Sequence, residues 1–142
     1  MSQQPTYTNH FGVYALIESE CGEKILLIKK AHGPYKGLLD LPGGTPEAHE
    51  ILEQTLCREV TEKTGLDVDH CHQFKAVSSL YEFKENDKPF VLRHIGVLYH
   101  AKSSGEMKLI GDGEDSNGPI WVNKSDILSR HVTPFVSLYL KK

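Results

Sequence analysis

The chain has few cysteines, and their positions exclude two kinds of site. Cys21, Cys57 and Cys71 are odd in number and widely spaced, and no C-x-x-C pair occurs. This pattern excludes a disulfide framework and a cysteine zinc site, and it is typical of a reducing compartment. The first ten residues are polar, and no apolar run reaches the ~18 residues of a membrane span. We therefore expect a cytoplasmic protein that makes no use of a membrane.

An excess of positive charge is also missing. Lysine and arginine total 16, aspartate and glutamate total 19, and the net charge is −3. A weakly acidic chain lacks the basic surface of a general nucleic-acid binder. Neither the G-x-x-x-x-G-K-[ST] loop of P-loop NTPases nor the G-x-S-x-G elbow of α/β-hydrolases occurs. These two enzyme classes are therefore excluded.

What remains is an ordinary globular composition, with 39% hydrophobic and 25% charged residues in a chain of 142. This length suits one domain, and no linker, repeat or low-complexity tract divides the chain. We predict a single domain over residues 1–142.

The strand signals group into two predicted hairpins. Residues 11–17 and 25–28 are apolar and β-rich, and a polar turn that contains Gly22 separates them. Residues 68–83 and 89–100 are also β-rich, and Glu85, Asn86 and Asp87 form a turn between them. A further short strand is predicted at residues 120–122.

One segment has the start and stop signals of a long helix. Thr45 is a good N-cap, Pro46 suits the first helical position, and Gly65 supplies a C-terminal stop. These signals predict a helix over residues 46–64, and Thr133 with Pro134 opens a second, short helix that ends near Leu140. The expected fold class is α+β (an α/β sandwich), with a mixed or antiparallel sheet flanked by one long helix and one or two short helices.

The buried face of the long helix becomes charged toward its C-terminal end. On a helical wheel centred on Leu52, the charged residues Glu59, Glu62 and Lys63 fall on the same side as the apolar stripe. The same wheel gathers a predicted buried stripe of Ala48, Ile51, Thr55, Leu56 and Val60. Two interpretations remain open: the helix end overhangs the sheet and is exposed, or the carboxylates point into a cleft. Carboxylates at i and i+3 lie close enough to share a hard cation such as Mg²⁺ or Mn²⁺.

Residues 44–66 read GTPEAHEILEQTLCREVTEKTGL and resemble the Nudix box, the G-x5-E-x7-R-E-U-x-E-E-x-G-U signature of Nudix (MutT-like) hydrolases, in which U is aliphatic. Eight of its nine fixed positions match at the required spacing: Gly44, Glu50, Arg58, Glu59, Val60, Glu62, Gly65 and Leu66. The resemblance implies a Nudix-like fold and metal-dependent hydrolysis of a nucleoside diphosphate linked to another moiety, with Mg²⁺ or Mn²⁺ as cofactor. It implies a small-molecule nucleotide as substrate and leaves a homodimer open.

The resemblance also implies roles for individual residues. Glu59 and Glu62 would be metal ligands, together with the main-chain carbonyl of Gly43 beside the box. Arg58 would orient a box carboxylate through a bidentate pair. Glu50 would support the cluster or reach the metal through a water molecule. These assignments make Arg58, Glu59, Glu62 and Glu50 the predicted catalytic residues.

One position departs from the signature, because Lys63 replaces a glutamate that is commonly a metal ligand in the family. Two unit charges of like sign about 4 Å apart repel by roughly 4 kcal/mol at an effective dielectric constant of 20. Lys63 would therefore oppose a nearby cation and compete for Glu59, its (i, i+4) neighbour. The alternative function is a catalytically impaired Nudix-fold module that binds nucleotides or regulates.

A polar loop before Trp121 offers two further carboxylates, Glu114 and Asp115. Family members use either a box glutamate or a carboxylate from a later loop as the general base, so Glu114 and Asp115 are candidates for that role. They are also candidates to replace the metal ligand that is missing at Lys63. A solvated turn is the simpler interpretation of the same loop.

Overall fold

The structure, a computed structural model, describes the backbone of residues 4–108 and 116–140 and the side chains of residues 4–108 and 117–139. Its seven described strands form two sheets. The strands are β1 (Thr6–Ile17), β2 (Lys24–Lys30), β3 (Leu39–Asp40), β4 (Gly43–Gly44), β5 (Asp67–Glu85), β6 (Lys88–Ser104) and β7 (Ser116–Asn123). One sheet has the order β4-β1-β6-β5 and the other the order β3-β2-β7.

The predicted hairpin between the first two strands is wrong. β1 pairs in parallel with β6, whereas β2 pairs antiparallel with β7 in the other sheet. The two strands meet near their turn, through a bridge between Glu18 and Ile25 and a hydrogen bond from the Ser19 amide to the Lys24 carbonyl at 2.9 Å. Both apolar runs are buried on consecutive residues, which is typical of central strands with partners on each side. Each run therefore takes the centre of its own sheet.

The second predicted hairpin is confirmed. β5 and β6 pair antiparallel along their length, from Asp67 opposite Ser104 to Glu85 opposite Lys88. Asn86 and Asp87 both have positive φ, 53° and 62°, as a two-residue type I′ turn requires. The short strand predicted at residues 120–122 lies within β7.

The long helix begins later than predicted. Helix α1 spans Leu52–Thr64 and ends at Gly65, whose φ of 83° terminates it as expected. Residues 45–51 form a loop instead of the first turns, so Ala48 and Ile51 are exposed rather than part of a buried stripe. The loop holds its own hydrogen bonds, because the Glu50 side chain accepts from the Glu47 amide at 2.9 Å. The carboxylate thereby competes with the helical arrangement that Thr45 and Pro46 predict.

The helices lie on opposite sides of the sheets. On one side, Leu56 and Val60 of α1 join a buried cluster with β1 and β2 residues such as Val13 and Leu26. On the other side, a 3-10 helix (Lys124–Ser129) and helix α2 (Pro134–Leu140) close a second cluster. This layered α+β arrangement, with one main helix and two short ones, confirms the predicted fold class. None of the helices within 4–108 and 116–140 is both long and apolar enough to span a membrane.

Phe135 of α2 seals the second cluster over a glycine of β6. A Cβ placed on Gly96 would overlap the Phe135 ring, and that ring also stacks on His94, with ring centroids 4.2 Å apart. The absence of a side chain at Gly96 thus sets how closely α2 approaches the sheet.

Gly96→Ala should therefore lower the free energy of unfolding by about 1–3 kcal/mol, the usual effect of overpacking a core. Urea denaturation measures it. Phe135→Leu in the same chain should relieve part of the loss, so the double variant should be more stable than the sum of the single effects predicts. Additive losses would contradict the packing explanation.

Candidate active site

Four glutamates gather around one arginine where helix α1 meets the loop of residues 45–51. Arg58 lies at the centre, on α1. Its guanidinium is within 4 Å of carboxylate oxygens from Glu47, Glu50, Glu59 and Glu62. Glu59 and Glu62 follow Arg58 on the same helix, whereas Glu47 and Glu50 approach from the loop.

The strongest contact in this cluster is a bidentate pair between Arg58 and Glu50. Arg58 Nε donates to Glu50 Oε2 at 2.7 Å, and Nη2 donates to Oε1 at 2.9 Å. Glu50 Oε1 also accepts from Thr55 Oγ1 at 2.9 Å. Arg58, together with the hydrogen bond from the Glu47 amide, lowers the pKa of Glu50 to about 2. The same pair raises the pKa of Arg58, so both groups are charged at neutral pH.

The remaining guanidinium contacts extend to the helix carboxylates. Arg58 Nη1 lies 3.3 Å from Glu59 Oε2 and 3.4 Å from Glu62 Oε2. Nη2 also donates to the main-chain oxygen of Thr45 at 3.3 Å. Arg58 therefore ties the loop and the helix together and orients three box carboxylates at once.

Glu59 and Glu62 differ in their surroundings. The Glu59 side chain is 13% exposed, and burial raises its pKa despite the opposing effects of Lys63 and Arg58. Its carboxylate lies against Gly44, where a Cβ would overlap it. The Glu62 side chain is 53% exposed. The pair thus presents one inner and one outer carboxylate at the end of the helix.

Lys63 does not turn away into solvent. Its side chain is 5% exposed, and its Nζ donates to the Gly43 carbonyl oxygen at 2.6 Å. Glu59 Oε1 lies 3.8 Å from the same nitrogen. Of the two interpretations of the helix end, the inward one holds for Glu59 and Lys63, and the outward one describes Glu62.

These contacts test whether the cluster suits a hard divalent cation. The inner position between the Gly43 carbonyl and Glu59 does not, because the Lys63 ammonium lies there. The outer edge does: with all groups ionised, four carboxylates against two cations leave two negative charges, and oxygen donors suit Mg²⁺ or Mn²⁺. Within the described ranges, no three histidine, cysteine or acidic side chains stand in metal-holding geometry as they are.

The structure brings together five of the predicted site residues: Gly43, Glu50, Arg58, Glu59 and Glu62. Glu114 and Asp115 lie outside the described residues, so their roles stay predictions. The roles of the five also stay predictions.

A cavity of about 350 Å³ lies beside this cluster. Thr45 connects the two, because its hydroxyl donates to the Phe11 carbonyl at 3.1 Å and lies 3.3 Å from His10, a cavity residue. The other lining residues include aromatic, basic and acidic side chains: Tyr14, Lys30, His32, Tyr35, Asp40 and His94. A cavity with aromatic faces and a few polar groups suits a nucleotide-sized ligand.

His94 is one of the cavity residues that sequence reasoning missed. The hydroxyls of Tyr14 and Tyr35 lie 2.7 and 3.0 Å from its two ring nitrogens. Burial lowers the pKa of His94 to about 3, so the ring is neutral at physiological pH. One nitrogen then donates and the other accepts, and the two tyrosines complete both bonds. The three residues come from separate segments: Tyr14 lies in β1, Tyr35 in the loop between β2 and β3, and His94 in β6. No local sequence signal brings them together.

Comparison with known proteins decides the family. The family model for the NUDIX domain matches residues 8–138, nearly the whole chain. The chain belongs to the Nudix family. The resemblance carried by residues 44–66 is thereby confirmed, and so is the Nudix-like fold.

Solved structures with this fold agree over almost the full length. A MutT Nudix hydrolase from Burkholderia pseudomallei superposes with a TM-score of 0.72 at 24% identity, covering 94% of this chain and 97% of that one. The NUDIX domain of Shewanella oneidensis NrtR, solved with ADP ribose, gives a TM-score of 0.63 at 23% identity, covering 98% and 85%. At these identities the likeness establishes the fold.

One curated relative is more similar over a shorter stretch. The ADP-ribose pyrophosphatase of Methanocaldococcus jannaschii is 46% identical over 54 residues. That match covers 38% of this chain and 31% of the relative, less than a third of the length of that protein.

The low pKa of Glu50 predicts a pH dependence of stability. A carboxylate whose pKa is depressed in the folded state stabilises it above the unfolded pKa, near 4.5, and this contribution is lost as the pH falls toward about 2. Glu50→Gln should therefore be less stable than wild type at pH 6, and the difference should shrink between about pH 5 and pH 2. Urea midpoints across this range measure it. Glu85→Gln, at an exposed position in β5, is the control, and its urea midpoint should follow that of wild type at every pH. A stability difference between wild type and Glu50→Gln that does not change with pH would contradict the stabilising role of the Arg58–Glu50 pair.

Proposed function

We propose that this chain hydrolyses a pyrophosphate bond in a nucleoside diphosphate linked to another moiety. The observation that carries the proposal is the cluster of carboxylates around Arg58, which joins the middle of α1 to the loop of residues 45–51 and lies beside a nucleotide-sized cavity. Acidic side chains cannot attract a polyphosphate by themselves, so the cluster has the character of a cation-assisted site.

The relatives favour ADP-ribose as the first substrate to test. The M. jannaschii relative is named an ADP-ribose pyrophosphatase, and the S. oneidensis NrtR domain was solved with ADP ribose. Both observations belong to those proteins, and the first rests on a partial match. The mixture of aromatic rings and basic groups in the cavity is compatible with a base and a phosphorylated sugar.

The positions of the four cluster residues suggest a different role for each pair. Glu59 and Glu62 would hold Mg²⁺ or Mn²⁺ at the outer edge. When bound, such a cation supplies charge neutralisation and a more acidic water. Arg58 holds Glu59 and Glu62 in place, while Glu50 anchors Arg58 from the loop. Glu50 and Arg58 are thus positioning residues, and Glu59 and Glu62 are the proposed ligands.

The general base stays a prediction, with Glu114 and Asp115 as candidates beside the box glutamates. A cytoplasmic location is compatible with three unpaired cysteines, and it too is a prediction, as is a homodimer.

A second candidate function rests on the Lys63 contact. The ammonium contacts both Gly43, a metal ligand that the resemblance predicts, and Glu59, one of the two proposed ligands. A chain in which the Lys63 ammonium lies between Gly43 and Glu59 could bind a nucleotide without hydrolysing it. Binding that survives EDTA, together with the absence of hydrolysis, would favour this nucleotide-binding module.

The test is product release from a substrate panel with Mg²⁺, Mn²⁺ or EDTA. The panel holds ADP-ribose, nucleoside triphosphates including oxidised ones, dinucleoside polyphosphates and nucleotide sugars. We expect metal-dependent hydrolysis of at least one compound and a fall in kcat of about 10²-fold or more in Glu62→Gln, because the outer carboxylate is lost.

Glu82→Gln, an exposed position on β5, is the matched control and should retain wild-type turnover. If no compound on the panel were hydrolysed under any metal condition, the proposed hydrolase activity would be refuted.

A further inference from the structure

Lys63 is a buried ammonium at a point where oxygen atoms converge. It lies one helical turn after Glu59 on α1, and its side chain is 5% exposed. Nζ donates to the Gly43 carbonyl oxygen at 2.6 Å and lies 3.8 Å from Glu59 Oε1. Gly43 belongs to β4, so this contact joins the helix to a strand twenty residues upstream.

The surroundings leave little freedom to the oxygens. β4 pairs with β1 through Val13 and Tyr14, and a Cβ on Gly43 would overlap the main-chain oxygen of Val13. The Glu59 carboxylate is similarly fixed against Gly44. A carbonyl and a carboxylate held toward one buried point repel each other unless a positive charge lies between them.

An ammonium can provide that charge permanently. It carries one positive charge and three donors, it needs no open coordination sphere, and it is attached to the chain. The charge of Lys63 also acts on Asp40, which is buried in β3. Burial raises the pKa of Asp40, and Lys30 and Lys63 both oppose that rise.

We propose that Lys63 is a tethered cation that occupies the inner cation position between Gly43 and Glu59, so that the cluster takes a divalent cation only at its outer edge. This proposal depends on the proposed function in one respect: it takes Glu59 and Glu62 as the ligands of the cation at the outer edge.

Charge counting gives the consequence. With Lys63, four carboxylates and two cations leave the cluster with two negative charges, which one divalent cation balances. Replacement of the ammonium by a carboxylate adds two negative charges and frees the Gly43 carbonyl as a ligand. Lys63→Glu should therefore bind one more divalent cation per chain than wild type.

The experiment counts bound Mn²⁺ by the electron paramagnetic resonance signal of the free ion, without any substrate. Wild type is compared with Lys63→Glu and with Lys75→Glu, which makes the same charge change at an exposed position on β5. We expect one additional Mn²⁺ in Lys63→Glu and none in Lys75→Glu. Equal Mn²⁺ counts in wild type and folded Lys63→Glu would overturn the proposal.

A second variant keeps the proposal testable if Lys63→Glu does not fold. Lys63→Met removes the ammonium at similar length and adds no carboxylate. Because a like charge near the outer cation disappears, Mn²⁺ should bind at least about tenfold more tightly than in wild type. Unchanged affinity in folded Lys63→Met would overturn the proposal.

The Mn²⁺ counts do not depend on turnover, so they separate this proposal from the proposed hydrolase activity. A chain that binds one Mn²⁺ fewer than Lys63→Glu but hydrolyses nothing on the panel would support the tethered cation and refute the enzyme. Hydrolysis by a wild type whose Mn²⁺ count equals that of Lys63→Glu would do the reverse.

Discussion

The pair between Arg58 and Glu50 organises this end of the molecule. Its two short hydrogen bonds join the middle of α1 to the loop of residues 45–51. Since Glu50 also accepts from the Glu47 amide and the Thr55 hydroxyl, the loop is folded around this one carboxylate. Helix α1 accordingly begins at Leu52. The other carboxylates take their positions from the guanidinium that Glu50 holds, so the cluster depends on this pair.

Short sequence signals correctly predicted the elements whose hydrogen bonds join residues close together in the chain. They failed for strands that pair with strands distant in the sequence. The positive φ angles at Asn86 and Asp87 follow from turn chemistry, and the end of α1 follows from Gly65. The strands at residues 11–17 and 25–28 looked like a hairpin because they are neighbours in the chain. Their longest pairings are with β6 and β7, which both lie in the second half of the chain. Nothing within the two runs encodes that choice, apart from the continuous apolar pattern that favours a central strand.

The site divides in the same way. The resemblance of residues 44–66 to the Nudix box grouped Glu50, Arg58, Glu59 and Glu62, although the predicted helix wrongly included Glu50. The helical wheel also placed Lys63 beside Glu59, which is where it lies. It could not indicate that the ammonium would donate to the carbonyl of Gly43, because that acceptor is positioned by the pairing of β4 with β1. His94 and its two tyrosines are equally a product of tertiary structure.

A tethered ammonium and a bound divalent cation are not equivalent in what they can do. Both offset the charge of buried oxygens and of an approaching phosphate. The ammonium can donate a hydrogen bond to a water molecule, but it has no open coordination position and cannot lower the pKa of that water as a metal does. If Lys63 occupies the inner position, any acidified water must come from the outer edge, where Glu62 is exposed; Glu59 directs Oε2 toward Arg58 and Oε1 toward Lys63. Whether the chain acts as a hydrolase or as a nucleotide-binding module therefore depends on Glu59 and Glu62 at the outer edge. The positive charge of Lys63 determines how much net negative charge remains there for a divalent cation.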